Sequence, residues 1–131
     1  MAQTKIPNEL LEIGAKAFGT SSIMIGDTTT GTIDAADNNT GVGVDVFAAL
    51  TTGDNNAAFG KSALTAVTTG SKNTAVGALA GDAITTGSEN TAIGTECLTA
   101  NTTASNNTGV GHSSLEANTT GADNTAVGKN S

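Results

Sequence analysis

The pentapeptide Asn73-Thr74-Ala75-Val76-Gly77 has a counterpart every 17 residues in either direction. Backwards these are Asn56-Ala57-Ala58-Phe59-Gly60, Asn39-Thr40-Gly41-Val42-Gly43 and a weaker Ser22-Ile23-Met24-Ile25-Gly26. Forwards they are Asn90-Thr91-Ala92-Ile93-Gly94, Asn107-Thr108-Gly109-Val110-Gly111 and Asn124-Thr125-Ala126-Val127-Gly128. No residue is inserted or deleted between copies. A fixed short period means that each unit is too small to bury its own apolar face and must hide it against its neighbours. The remaining twelve positions are patterned too. Counting the Asn as position 1, position 9 holds Phe47, Leu64, Gly81, Leu98 and Leu115, and position 12 holds Leu50, Val67, Ile84, Asn101 and Asn118. A Thr-Thr pair follows in five successive copies, from Thr51-Thr52 to Thr119-Thr120, closed by Gly53, Gly70, Gly87 and Gly121, with Ala104 once in place of Gly.

If each unit makes one turn of a coil, every residue stacks on its equivalent about 4.8 Å along the axis. A one-residue slip would reverse the faces, which explains why the period does not drift. The expected fold is therefore all-β: a parallel β-solenoid of 17-residue coils, with repeats starting at 22, 39, 56, 73, 90, 107 and 124. Within Asn-Thr-Ala-Val-Gly the alternation puts Thr74 and Val76 on one face and Ala75 on the other. The aliphatic column Val42, Phe59, Val76, Ile93, Val110 and Val127 is expected to fill the interior. The Ala and Gly of position 3 mark a face of close approach, to the opposite wall or to another chain. The Asn column (Asn39, Asn56, Asn73, Asn90, Asn107, Asn124) is expected to form a hydrogen-bonded ladder. The glycines of position 5 (Gly43, Gly60, Gly77, Gly94, Gly111, Gly128) and those after Thr-Thr are expected at corners needing positive φ. Apolar columns three positions apart do not suit a straight strand, so a bend or a single helical turn is expected between positions 9 and 12. The rod would be roughly 30 Å tall.

Residues 1–21 stand outside the repeat. Ile6, Pro7, Leu10, Leu11 and Ile13 are the candidate docking residues of this N-terminal segment, as a helical turn or an extended arm. Its first seven residues contain no apolar h-region, which predicts no secretory signal. The repeat stops at Ser131 without a capping signal, which predicts that it continues in a longer polypeptide.

Composition fits a thin stacked coil better than a globular core. The chain has 131 residues, with 24 Thr, 17 Gly, 13 Asn, three Phe and no Trp, Tyr or Arg. A net charge of −7 with five Lys disfavours nucleic acid and anionic membrane surfaces. No apolar run reaches the ~20 residues of a membrane span. One cysteine, Cys97, allows no internal disulfide and fits a reducing compartment.

The Asn-Thr-Ala-Val-Gly and Asn-Thr-Ala-Ile-Gly units, spaced by Ala-Leu and Thr-Thr-Gly, resemble repeats of bacteriophage tail fibres and are similar to the head repeats of trimeric autotransporter adhesins. The resemblance spans about residues 22–131. It implies a left-handed parallel β-roll in which three identical chains associate around a common axis. The 17-residue unit is longer than the usual adhesin unit. Together with the missing signal, this favours a fibre located in the virion tail and assembled in the host cytoplasm. The resemblance further implies that residues 1–21 meet tail or baseplate proteins and that a distal region meets the host cell surface.

Several motifs have a chemical reading that the repeat explains more simply. Phe59-Gly60-Lys61-Ser62 has the end of a phosphate-binding loop, but Asn55 stands where its first Gly belongs. Gly41-Val42-Gly43 and Gly109-Val110-Gly111 are in repeat register and too short for a dinucleotide fingerprint. His112 occupies a variable column with Val44, Lys61, Ala78, Thr95 and Lys129, which reads as an exposed corner. Cys97 shares a column of small residues and is expected to be buried. Asp34, Asp37 and Asp54 could meet a cation at a rung corner, but the acidic residues otherwise scatter over columns as a solvated surface does. Adjacent Thr residues point to opposite sides of a strand, so the Thr-Thr pairs do not make the flat Thr face of an ice-binding solenoid. Asn101-Thr102-Thr103 and Asn118-Thr119-Thr120 match glycosylation sequons by composition alone. No acid–base, nucleophile–base or metal constellation stands out, so no enzyme, cofactor or metal is expected. The expected function is a structural shaft of a tail fibre. The alternative is an adhesive head recognising a surface carbohydrate or protein, which would require exposed aromatic residues from among Phe18, Phe47 and Phe59.

Overall fold

The computed structural model describes Ala15–Lys16, Ile23–Ile25 and residues 36–131. The described residues form an all-β chain containing one eight-stranded sheet and no helix. Its strands are β1 (Ala15–Lys16), β2 (Ile23–Ile25), β3 (Thr40–Val42), β4 (Ala57–Phe59), β5 (Thr74–Val76), β6 (Thr91–Ile93), β7 (Thr108–Val110) and β8 (Thr125–Val127). From β2 to β8 every neighbour is parallel and every Cα partner lies 17 residues away, as Thr74 pairs with Thr91 and Val76 with Ile93. The chain is thus a parallel β-solenoid with one period per turn. β1 pairs antiparallel with β2, Ala15 opposite Ile25, so part of the non-repeat segment lies along the edge of the first rung. Ile6, Pro7, Leu10, Leu11, Ile13 and Phe18 fall outside the described residues.

Each of the strands β4 to β7 leads into two successive tight turns. The position 8 N–H donates to the position 5 carbonyl (Ala63 to Gly60, 3.2 Å) and the position 12 N–H to the position 9 carbonyl (Ile84 to Gly81, 3.0 Å). This is the expected bend, built from β-turns without a helical turn. It needs left-handed residues, and many of these are not glycine. Phe47, Leu64, Leu98 and Leu115 at position 9 have φ between 50 and 58°, and position 17 holds Asn38, Asn55, Lys72, Glu89, Asn106 and Asp123 near 60°. Asn and Asp tolerate this region best, whereas Leu and Phe adopt it at a cost that their burial must offset.

The two glycine columns differ from expectation. Gly77 and its equivalents do have positive φ, 136° at Gly77, and a Cβ there would lie 2.6 Å from the Gly94 carbonyl carbon. Gly53, Gly70, Gly87 and Gly121 do not lie in the left-handed region. Rungs approach so closely at Gly53, Gly70 and Gly87 that a Cβ would overlap the carbonyl of the next rung. Close contact, and not turn geometry, selects Gly in this column.

The interior also reverses an expectation. The aliphatic side chains of position 4 point outwards, and the core holds Ala58, Ala75 and Ala92 of position 3 against Val46, Phe47, Leu50, Leu64, Val67, Ile84 and Leu98 from the turns. The coil is narrow, so a large residue in the turn leaves space for only a small one opposite. A Cβ on Gly41 would meet Val46 Cγ1 at 2.8 Å and the Phe47 ring at 3.1 Å. The close approach marked by the Ala and Gly column is to the opposite wall of the coil.

Side-chain ladders bind the rungs. Asn56, Asn73 and Asn90 are buried; each donates through Nδ2 to the carbonyl fourteen residues on, at 2.9 Å, and to the Oδ1 of the preceding Asn. Each Oδ1 accepts the backbone N–H of the Asn one rung later, as Asn73 N to Asn56 Oδ1 at 2.9 Å. Position 16 runs the opposite way: the Asp54 N–H donates to Ser71 Oγ, that of Ser71 to Ser88 Oγ and that of Ser88 to Ser105 Oγ, at 2.9 to 3.1 Å. The Asn ladder satisfies buried polar groups that would otherwise be costly.

Candidate interaction face

Because positions 2 and 4 point away from the core, the parallel strands β3 to β8 present one continuous outer strip, which Ile25 of β2 extends. Its apolar column is open to solvent: Ile25 is 38 % exposed, Phe59 42 %, Val76 40 %, Ile93 39 % and Val127 72 %, with Val42 and Val110 half-buried. This corrects the expectation of an interior aliphatic line for Val42, Phe59, Val76, Ile93, Val110 and Val127. Beside it runs Thr40, Ala57, Thr74, Thr91, Thr108 and Thr125. From β3 to β8 the strip carries no ionisable residue. Charges stand in the corners on either side: Asp45, Lys61, Glu96, His112 and Lys129 after the strand, and Asp37, Asp54, Lys72, Glu89 and Asp123 before it. Val44 and Leu79 add exposed apolar surface at the first of these corners. Along β3 to β8 the strip is thus uncharged, and the charges are confined to the corners on either side.

The other candidates are accounted for by the fold. Phe59-Gly60-Lys61-Ser62 ends a strand and enters a turn in which the Ser62 N–H donates to the Val44 carbonyl, and no helix follows to bind a phosphate. Gly41-Val42-Gly43 and Gly109-Val110-Gly111 are ordinary rungs. His112 is exposed, its Nε2 3.8 Å from Glu96 Oε2, and Lys72 pairs with Glu89 at 3.1 Å across one rung; exposed pairs of this kind contribute little. Asp54 is not arranged for a cation, since its Oδ1 accepts the Asp37 N–H at 2.8 Å. Asp34 lies outside the described residues. No cluster of three metal-ligating side chains occurs among the described residues. Cys97 is fully buried, and burial pushes its thiol above the ordinary value, so it is a neutral core atom. Burial also raises the Asp82 carboxyl, with a smaller raising effect from Glu96 and opposing backbone hydrogen bonds.

Asn101 is buried, which removes it as a glycan acceptor, and Asn118 bonds the Gly121 carbonyl and N–H. The first Thr of three pairs is tied down: Thr51, Thr68 and Thr85 are half-buried and donate to the carbonyl one rung on, at 3.0 to 3.2 Å, whereas both members are exposed in Thr102-Thr103 and Thr119-Thr120. A shallow recess is lined by Ser113, Leu115, Glu116, Asn118 and Ser131. Phe47 is buried, so Phe59 is the one exposed aromatic among the described residues. No helix among the described residues is long and apolar enough to cross a membrane.

The outer strip was legible in part. Alternation fixed which residues share a face, and the missing signal was the size of what lies opposite: bulky turn residues at position 9 leave the inner place to Ala or Gly. No family model, curated protein or solved structure matches the chain.

Proposed function

We propose that the chain is a shaft segment of a bacteriophage tail fibre. In this reading it is a homotrimeric, left-handed β-roll, held to tail or baseplate proteins by residues 1–21 and leading to a distal part that contacts the host. The observation that carries the trimer is the uncharged strip with its open Val, Ile and Phe column, on a chain whose net charge is −7. Identical acidic chains repel one another unless they meet where charge is absent, and the strip is such a place. Covering each half-exposed aliphatic side chain contributes roughly 0.5–1 kcal/mol. Rigidity supports the shaft role, since every rung is tied to the next by backbone and side-chain bonds in register. In this reading the rod serves as a spacer between the tail and the distal part.

Sedimentation equilibrium of the full chain tests this reading. The expected mass is three times the 12.7 kDa of one chain, and a folded monomer at micromolar concentration overturns it. The adhesive-head alternative draws on Phe59, an exposed aromatic of the kind that anchors sugars and proteins. Binding of the isolated chain to a glycan array would favour that alternative.

A further inference from the structure

A strip of near-identical rungs leaves one quantity open, which is height. Thr74/Val76, Thr91/Ile93, Thr108/Val110 and Thr125/Val127 present almost the same pair of side chains on successive strands. Two copies slid past one another by one rung, about 4.8 Å, would meet nearly equivalent surfaces. A uniform strip therefore specifies no register, just as a coiled-coil seam of identical residues needs one atypical side chain to fix its alignment.

Among β3 to β8 one strand departs on this face. In β4, position 2 is Ala57 where the other five strands have Thr, and position 4 is Phe59 where they have Val or Ile. The smaller and the larger residue occur together, on the same face of the same strand. Departures that point inwards are answered within the chain: Gly41 makes room for Val46 and Phe47, Gly109 for the Cys97 sulfur, and Ile84 and Leu64 close over Gly81. Ala57 and Phe59 lie on the outer face, where among the described residues Phe59 remains 42 % exposed.

Resting on the homotrimer reading above, we infer that Ala57 and Phe59 form the register key of the assembly. The Phe59 ring of one copy enters the space left above Ala57 of the next. A second copy is the fitting occupant because knob and gap lie on one strand, so that identical chains at equal height supply both. It is also the occupant that an uncharged strip on an acidic chain accepts without bringing like charges together. A one-rung slip would set Phe59 against Thr40 or Thr74 and leave Ala57 unfilled.

Cross-linking of full chains in a Cys97→Ser background tests the key, Ser being the residue of the same column at Ser114. One population carries Val76→Cys and a second Val110→Cys; the two are refolded together and oxidised. These positions lie two rungs apart, about 9.6 Å at the usual strand spacing, too far to bridge in register. A slip of one or two rungs brings them within reach. With Ala57 and Phe59 in place, mixed disulfides stay at background. Adding Ala57→Thr and Phe59→Val recreates the strand of β5, so folding is preserved, and the mixed product rises at least about tenfold while the trimer mass is unchanged. No rise in a variant that remains trimeric overturns the key and leaves the shaft reading standing. Dissociation of the variant into monomers also overturns it, since the pair would then supply affinity and not register. A monomeric parent chain removes the shaft reading itself.

Discussion

The lower and upper rungs share a backbone and differ in what fills it. Between Val46 and Ile84 the inward columns 8, 9 and 12 hold Val46, Phe47, Leu50, Ala63, Leu64, Val67, Ala80 and Ile84, all fully buried, with Gly81 filled from either side. From Cys97 onwards the same columns hold Cys97, Leu98, Asn101, Ser114, Leu115 and Asn118. The Asn ladder registers this change. Asn101 Nδ2 takes Asn90 Oδ1 at 3.3 Å, and Asn118 Nδ2 takes the Gly121 carbonyl at 2.8 Å. These are the two acceptors that the ladder pattern assigns to Asn107, and Asn107 Nδ2 is left buried without a partner, as is Asn101 Oδ1. One polar residue in an apolar column thus disturbs a neighbouring column that is itself unaltered. In a stack whose rungs contact only their neighbours, such a weakness stays local.

The comparison can be broken most severely in the lower ladder. Asn73→Ala leaves the Gly87 carbonyl and the Asn90 N–H without their partners, and at about 1–3 kcal/mol for each stranded group the expected loss is about 3–5 kcal/mol by denaturant unfolding. Asn124→Ala, at a half-exposed site, is expected to cost under about 1 kcal/mol. Equal losses would remove the distinction between the regions.

Exchanging the character of column 12 comes next. Val67→Asn is expected to destabilise by about 2–4 kcal/mol, because it opens a small cavity and buries an amide. Asn101→Val is expected to stabilise by about 1–2 kcal/mol, as it frees Asn90 Oδ1 for the ladder and removes two unpaired groups. Thermal melting of both variants checks the signs. Hydrogen exchange sharpens the regional contrast without mutation: amides of residues 39–98 should be protected more than those of 101–131, by roughly tenfold or more where upper rungs open alone.

The smallest effect concerns Asp82. Its folded carboxyl binds a proton more tightly than the unfolded one, so its favourable contribution is complete below the ordinary value near 3.8 and is lost as pH rises through the raised value. Asp82→Asn should therefore raise the melting temperature slightly at pH 7 and leave it unchanged at pH 3.

The parallel in-register stack, the Asn ladder and the bend between positions 9 and 12 all follow from spacing, which a sequence displays directly. What spacing could not supply was the direction of the strand. Hydrophobicity placed Val76 inside and left Ala75 to face either the opposite wall or another chain, whereas in so narrow a coil volume decides, and Phe47 and Leu64 take the space. The same omission hid the outer apolar strip, since a side chain thought to be core is not counted as surface. The unpaired amides of Asn101 and Asn107 were likewise invisible, because they arise between two columns that the repeat keeps separate.

The strict pairing of each residue with its equivalent 17 positions away also has a consequence for growth. A duplication or loss of a whole unit, begun at any position, rejoins every column to itself. The rod changes length by one rung, about 4.8 Å, while its outer strip, ladders and corners stay where they were. A change of any other size puts the columns out of line. Length is thus a digital property of this chain, free to vary in whole steps under selection and closed to everything between them.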